Sequence, residues 1–205
     1  LNEKTLKKFG IPYKTAIVTR GHHAGYYPGA KNMVLKLIFD ENGKIFGAQA
    51  VGEAGVDKRI DVIATAIKGN LTVYDLPEIE ITYAPPFNSA KDPVNIAGYT
   101  AENILKGDLE MVNYDEFWDF VKENNAVILD VRTSKEFSGG AIEGAININV
   151  DDLRENLQNL DKNKVYAIYC QVGLRGYLAN RIMRNNGFRA VNLNGGYNLW
   201  SKANS

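Results

Sequence analysis

The chain has 205 residues, 45% of them hydrophobic, with 24 basic and 24 acidic side chains. That length can build one large core or two small ones, and the balanced charge removes any electrostatic case for nucleic acid or an anionic membrane as the main partner. The single cysteine excludes an internal disulfide, and no CxxC or Cys/His cluster at metal-ligand spacing occurs, so neither an oxidised scaffold nor a structural metal site is supported. No apolar run approaches the roughly 20 residues of a membrane helix, and Leu1-Asn2-Glu3-Lys4 lacks the apolar core of a signal peptide. The expectation is a soluble chain in a reducing cytoplasm.

Thr15 to Arg20 reads as a strand, followed by the turn-rich segment from Gly21 to Gly29. Met33 to Phe39 and Ile45 to Val51 are two further strands, and Asp40-Glu41-Asn42-Gly43-Lys44 between them places Asn-Gly at the centre of a hairpin turn, which makes the sheet antiparallel. Val56, Ile60, Ile63, Ala64 and Ile67 recur at helical spacing over 56–68, and Gly69-Asn70 supplies a stop. A second helical pattern runs from about Pro93 to Leu105. Between these helices, alternating Ile79 and Ile81 lead into Tyr83-Ala84-Pro85-Pro86-Phe87; composition favours an edge strand with a stiff exit, because the prolines prevent further pairing.

From Met111 the pattern changes to short strands alternating with helices, which argues for a mostly parallel sheet covered on both faces. Asn113 to Glu116 and Thr133 to Glu136 both read as capping boxes. Ala126 to Val131, Ala145 to Ile148, Val165 to Tyr169 and Ala190 to Leu193 read as strands, Val150 to Leu157 as a helix, and Gly195 to Trp200 as a closing turn. The boundary between the two patterns falls at 108–112, giving domains 1–110 and 111–205: an α+β domain on an antiparallel sheet, then an α/β domain on a mostly parallel one.

The stretch Tyr169-Cys170-Gln171-Val172-Gly173-Leu174-Arg175-Gly176 carries the chemistry this sequence offers. It leaves an apolar strand and enters a helical pattern, so its successive N–H groups and the helix start form an anion nest. The loop amides and the Arg175 guanidinium favour a thiolate at Cys170, a candidate nucleophile. Against this stands the ordinary reading of a lone cysteine at a strand end, an inert small hydrophobe. His22-His23, lacking a third ligand, reads as an exposed turn rather than a metal site. Lys58-Arg59 with Lys68 reads as a solvated helix face, and Arg132 and Glu136 are expected to pair structurally.

Asp130-Val131-Arg132, Glu136-Phe137, 140–148, Cys170-Gln171-Val172-Gly173-Leu174-Arg175 and 193–200, in that order, resemble a single rhodanese domain over 113–205. The resemblance implies a loop cysteine that carries sulfane sulfur as a persulfide, with Gln171, Val172, Gly173, Leu174 and Gly176 in the sulfur-binding loop. Ala141 stands where that family often has His. Related phosphatases place five residues between cysteine and arginine; the four here, Gln171 to Leu174, suit a sulfur atom on Cys170 rather than a phosphate.

The first half, through Val51-Gly52, 57–62, Tyr83-Ala84-Pro85-Pro86-Phe87 and 91–95, resembles the dimerisation domain of coenzyme A-disulfide reductases, some of which carry a rhodanese domain in this place. This implies a homodimer through residues 1–110, and tyrosines that approach the reactive cysteine of the other subunit: Tyr83, with Tyr26 preferred over Tyr27. No GxGxxG fingerprint occurs, so no cofactor or metal site is expected in this chain, while FAD, NAD(P)H and CoA are implied for a longer flavoprotein. The implied partners are small sulfur compounds: thiosulfate, persulfide, polysulfide and CoA persulfide. The competing reading is a non-catalytic sulfur- or anion-binding module.

Overall fold

The computed structural model describes residues 1–204, which divide after Lys106 into two compact units. In the first, strands β1 (Lys14–Gly21), β2 (Asn32–Phe39) and β3 (Ile45–Gly52) form an antiparallel sheet in the order β1-β2-β3. Met33, Leu35 and Leu37 alternate inward along β2, as a half-buried strand requires. The hairpin between β2 and β3 turns through Gly43, whose φ of +85° only glycine adopts readily. A short helix α1 (Glu3–Lys8), absent from the sequence reading, is capped by the Asn2 side chain and linked to β2 through Glu3 and Lys36.

Helices α2 (Val56–Lys68) and α3 (Pro93–Leu105) bear on this sheet, and Ile63, Ala66, Val94, Ala97 and Ala101 join Leu35, Leu37 and Phe39 in one core. Asp92 caps α3 in a reciprocal box with Asn95, and Pro93 occupies the first helical turn, where its missing N–H is harmless. The edge strand expected at Ile79–Ile81 does not form. Leu76–Glu78 is a single 3₁₀ turn, and the backbone beyond it is held by side chains: Asn95 Nδ2 donates to the Leu76 and Ile79 carbonyls at 2.9 and 3.0 Å. With those carbonyls bonded to an amide, alternation of two isoleucines is not enough to recruit a fourth strand.

The second unit is built on a five-stranded parallel sheet in the order β4-β8-β7-β5-β6, from β4 (Met111–Val112), β5 (Val127–Asp130), β6 (Ile146–Asn147), β7 (Val165–Tyr169) and β8 (Arg189–Leu193). Central β7 is buried at every position: Tyr166, Ile168 and Cys170 enter one core, Ala167 and Tyr169 the other. Helices α4 (Phe117–Asn124), α5 (Ser134–Ser138), α6 (Leu153–Asn156), α7 (Leu174–Asn185) and α8 (Gly196–Ala203) complete the unit.

Thr133 forms its capping box with Glu136 as read. Asn113 does not cap α4, which starts at Phe117 without a side-chain cap, because its Oδ1 instead accepts from Asn194 Nδ2 at 3.0 Å. The closing turn at Gly195–Trp200 is helix α8: Gly195 and Gly196 take positive φ and turn the chain into it.

Candidate functional site

The parallel sheet delivers Cys170 to the carboxyl end of its central strand, where open α/β sheets place their ligands. Cys170 is 1% exposed, and its Sγ accepts from the Gly173 N–H at 3.1 Å. Gly173, at φ +113°, turns the chain directly into α7, whose first N–H groups have no side-chain cap. Gly176 lies one turn into the helix, and a Cβ there would sit 2.1 Å from Asn192 Oδ1, so this approach of α7 to β8 requires glycine.

A second helix start fixes the loop from behind. Tyr197 N–H donates to the Cys170 carbonyl at 2.8 Å and Asn198 N–H to the Gln171 carbonyl at 3.0 Å, while the Gln171 amide also meets the Asn198 side chain. A Cβ at Gly196 would lie 2.6 Å from the Cys170 carbonyl oxygen. Gly196, Tyr197 and Asn198 lie in the 193–200 stretch of the rhodanese resemblance, and the Gly195-Gly196 pair is the sequence signal for their role behind the loop.

The expected Arg132–Glu136 pair is not formed; each side chain has another partner. Arg132, 2% exposed, binds Asp130 bidentately, donates to Gln171 Oε1 at 3.0 Å and to the Gly140 carbonyl at 2.7 Å, and stacks 4.1 Å above the Tyr197 ring. Asp130 sits two residues before it on β5, so the pair closes at the strand end without any help from α5. Glu136 instead grips Arg175, with Oε1 and Oε2 at 2.6 and 2.7 Å from the guanidinium. That contact, aided by Thr133 and opposed by partial burial, lowers the Glu136 carboxyl to about 2. The Arg175 guanidinium is raised chiefly by its hydrogen bonds to Glu136, against the opposing effect of partial burial.

In the first unit the two preferred tyrosines meet: the Tyr26 and Tyr83 hydroxyls are 3.3 Å apart, with Tyr26 76% and Tyr83 50% exposed. Tyr27 lies edge-on to His23 instead. The hydrogen bond to Tyr83 raises the Tyr26 phenol. His23 is buried rather than in an exposed turn, its ring tilted 55° against that of His22 at 4.1 Å and its Nδ1 3.0 Å from the Ala24 carbonyl. Arg59 is likewise not on a solvated face: it is buried and ion-paired with Asp92 at 2.9 Å, because α2 turns this side chain under the 22–24 segment. Among the described residues no group of three or more His, Cys, Asp or Glu is placed to hold a metal, and no helix is long and apolar enough to cross a membrane.

Fold and loop together define a rhodanese-like domain, and residues 113–203 match the rhodanese-like domain family. Residues 1–93 match the pyridine nucleotide-disulphide oxidoreductase dimerisation domain. The chain thus carries these two domains in tandem, a pyridine nucleotide-disulphide oxidoreductase dimerisation domain followed by a rhodanese-like domain. It is 50% identical to the reduced Bacillus anthracis CoADR-RHD, with a TM-score of 0.95 over 98% of this chain and 36% of that one. A NAD-dependent persulfide reductase from A. fulgidus is 38% identical, with a TM-score of 0.85 over 96% of this chain and 35% of that one. The coenzyme A disulfide reductase of Staphylococcus haemolyticus is 46% identical over 93 residues, 45% of this chain and 21% of the relative. The chain thus spans about a third or less of the length of these relatives.

Proposed function

We propose that the domain at 111–205 is a rhodanese-type sulfurtransferase, with Cys170 as the atom that accepts and passes on sulfane sulfur. The observation that carries this reading is the Gly173 N–H on Cys170 Sγ, in a loop of four residues ending at an arginine whose position Glu136 fixes. With thiosulfate as donor, the Cys170 thiolate attacks the outer sulfur, the S–S bond of thiosulfate breaks, and sulfite leaves with the bonding pair. The product is a persulfide anion on Cys170. Gly173 donates to this sulfur, the remaining amides at Gln171, Val172, Leu174 and Gly176 line the nest, and Arg175 offsets the anion's charge. Attack by an acceptor thiolate on the outer sulfur reverses the loading and frees Cys170.

The domain at 1–110 is read as a homodimerisation module of a longer FAD- and NAD(P)H-dependent enzyme acting on coenzyme A disulfide, CoA persulfide or polysulfide; the names of two relatives, a coenzyme A disulfide reductase and a NAD-dependent persulfide reductase, support the disulfide and persulfide part of that reading. In Leu1–Lys106 the sheet is entirely antiparallel and offers no parallel strand-to-helix turn for a dinucleotide pyrophosphate, so these residues do not fit a flavin by themselves. What they contribute is the phenol pair. A Tyr26 hydroxyl that donates to Tyr83 leaves the Tyr83 proton free for a leaving thiolate at the redox cysteine of the partner subunit.

One observation favours the second reading, a module that binds sulfur or anions without turnover: Cys170 is almost fully buried. Mass spectrometry of the intact chain after incubation with thiosulfate separates the two. A gain of one sulfur atom that disappears in Cys170→Ser and is discharged by added thiol supports transfer, whereas an unmodified chain overturns it in favour of binding.

A further inference from the structure

Arg59 joins the two segments that carry Tyr26 and Tyr83. Its guanidinium donates to the His22 carbonyl at 2.7 Å, to Asn88 Oδ1 at 3.0 Å, to the Gly55 carbonyl at 3.2 Å and, through Nε, to Asp92 Oδ2 at 3.1 Å. Asn88 is fully buried, and each of its remaining polar groups reaches toward a tyrosine. Its Nδ2 donates to the carbonyl of Thr82, the residue before Tyr83, at 3.3 Å, and its own carbonyl accepts from the N–H of Ala24, two residues before Tyr26, at 3.1 Å. The chain from Arg59 to each tyrosine segment is therefore hydrogen-bonded throughout and passes through two buried side chains, Arg59 and Asn88.

The phenols have no comparable restraint of their own. Both are at least half exposed, and two exposed side chains in loops lose rotamer freedom to keep hydroxyls in contact. A buried guanidinium is the opposite case: it must satisfy its donors or incur a large desolvation penalty, which leaves one arrangement for its neighbours. Pairing with Asp92 alone would neutralise Arg59. The additional bonds to His22 and Asn88 fall on the two segments that must be brought together.

We propose that Arg59, acting through Asn88, is a positioning residue that sets the contact between the Tyr26 and Tyr83 hydroxyls, a role that deepens the reading of this pair as a proton-donating unit. Arg59 touches neither phenol. A purely structural role would affect stability and leave the coupling between the phenols intact.

The test uses the whole chain with ¹³C at the phenolic carbon of tyrosine, following each ring through its titration, with Tyr26→Phe and Tyr83→Phe assigning the signals. In the unsubstituted chain the Tyr26 midpoint is raised by its hydrogen bond to Tyr83. It should fall in Tyr83→Phe, and fall to the same midpoint in Arg59→Lys, which keeps the charge facing Asp92 but cannot span His22 and Asn88 together. Asn88→Asp is the second variant: it keeps an acceptor for Arg59 but loses the donor to Thr82, and its added negative charge alone would move Tyr26 upward, so a fall is diagnostic. Circular dichroism establishes that each variant is folded, and either folded variant decides the matter. A Tyr26 midpoint unchanged in the folded variants but lowered in Tyr83→Phe overturns the role of Arg59 alone. A midpoint unchanged in Tyr83→Phe overturns the phenol pair itself.

Discussion

Glu136 holds Arg175 through both carboxylate oxygens, at 2.6 and 2.7 Å, and does so from the first turn of α5, where the same carboxylate also accepts from Thr133. One side chain thus caps a helix and aims the cation of the cysteine loop. Replacing it with Gln keeps the cap acceptor and removes the charge. We expect Glu136→Gln to slow persulfide formation at Cys170 by about tenfold, because the guanidinium loses its bidentate partner. A stopped-flow loading assay with thiosulfate measures this, and a rate equal to the parent chain would mean that Arg175 needs no such support.

The same contact has a pH signature. The Glu136 carboxyl is lowered in the folded chain from 4.5 to about 2, so its stabilisation is complete above the unfolded value and is lost as pH falls through the window from about 4.5 to 2. Since about a third of both side chains is exposed, solvent screening leaves about 1 kcal/mol. Urea unfolding at pH 6 and pH 3 should show that this part of the acid loss is absent in Glu136→Gln; equal acid sensitivity in the two chains would count against the assignment.

Gly196 stands at φ +67° with the Cys170 carbonyl oxygen 2.6 Å from where its Cβ would be. Gly196→Ala adds a left-handed alanine and a clash against the loop, together about 2–5 kcal/mol. Because the displaced atoms are those of the cysteine itself, sulfur loading should fall by about a hundredfold even in chains that remain folded. Labelling of loaded and unloaded chains by mass spectrometry reads this directly.

Arg132 combines a bidentate bond to Asp130 with stacking on Tyr197 and a bond to Gln171. Lysine carries the charge but has neither the planar fork nor the stacking face. Arg132→Lys should therefore cost about 2–3 kcal/mol, and thermal unfolding is the measurement.

Asp92 serves both as cap of α3 and as counter-ion of buried Arg59. Asp92→Ala leaves a buried guanidinium without its carboxylate, which should destabilise Leu1–Lys106 by about 3–5 kcal/mol. Hydrogen exchange of the β1 to β3 amides would register the loss; unchanged protection there would show that His22, Asn88 and Gly55 suffice.

Much of this was legible in the sequence because the signals are local. The Asn42-Gly43 hairpin, the periodicities of α2 and α3, the Thr133–Glu136 box and the strand–cysteine–helix order each depend on residues close together along the chain, and short-range sterics and hydrogen bonding dictate them. What tertiary structure decided were choices among partners of similar chemistry. Glu136 could have paired with Arg132 four residues away, yet it turned to Arg175, 39 residues on, because Asp130 already occupied Arg132 at the end of β5. Arg59 has the composition of a solvated helix face, and burial beneath His22 and Asn88 made it a hub. The isoleucines at 79 and 81 alternate like a strand, but Asn95 holds the Ile79 carbonyl instead. Sequence by itself determined the elements and located the reactive loop. Only the fold settled which charges face one another, because a buried ion pair is chosen by the competition among all donors and acceptors that packing brings within reach, and that competition leaves no local trace.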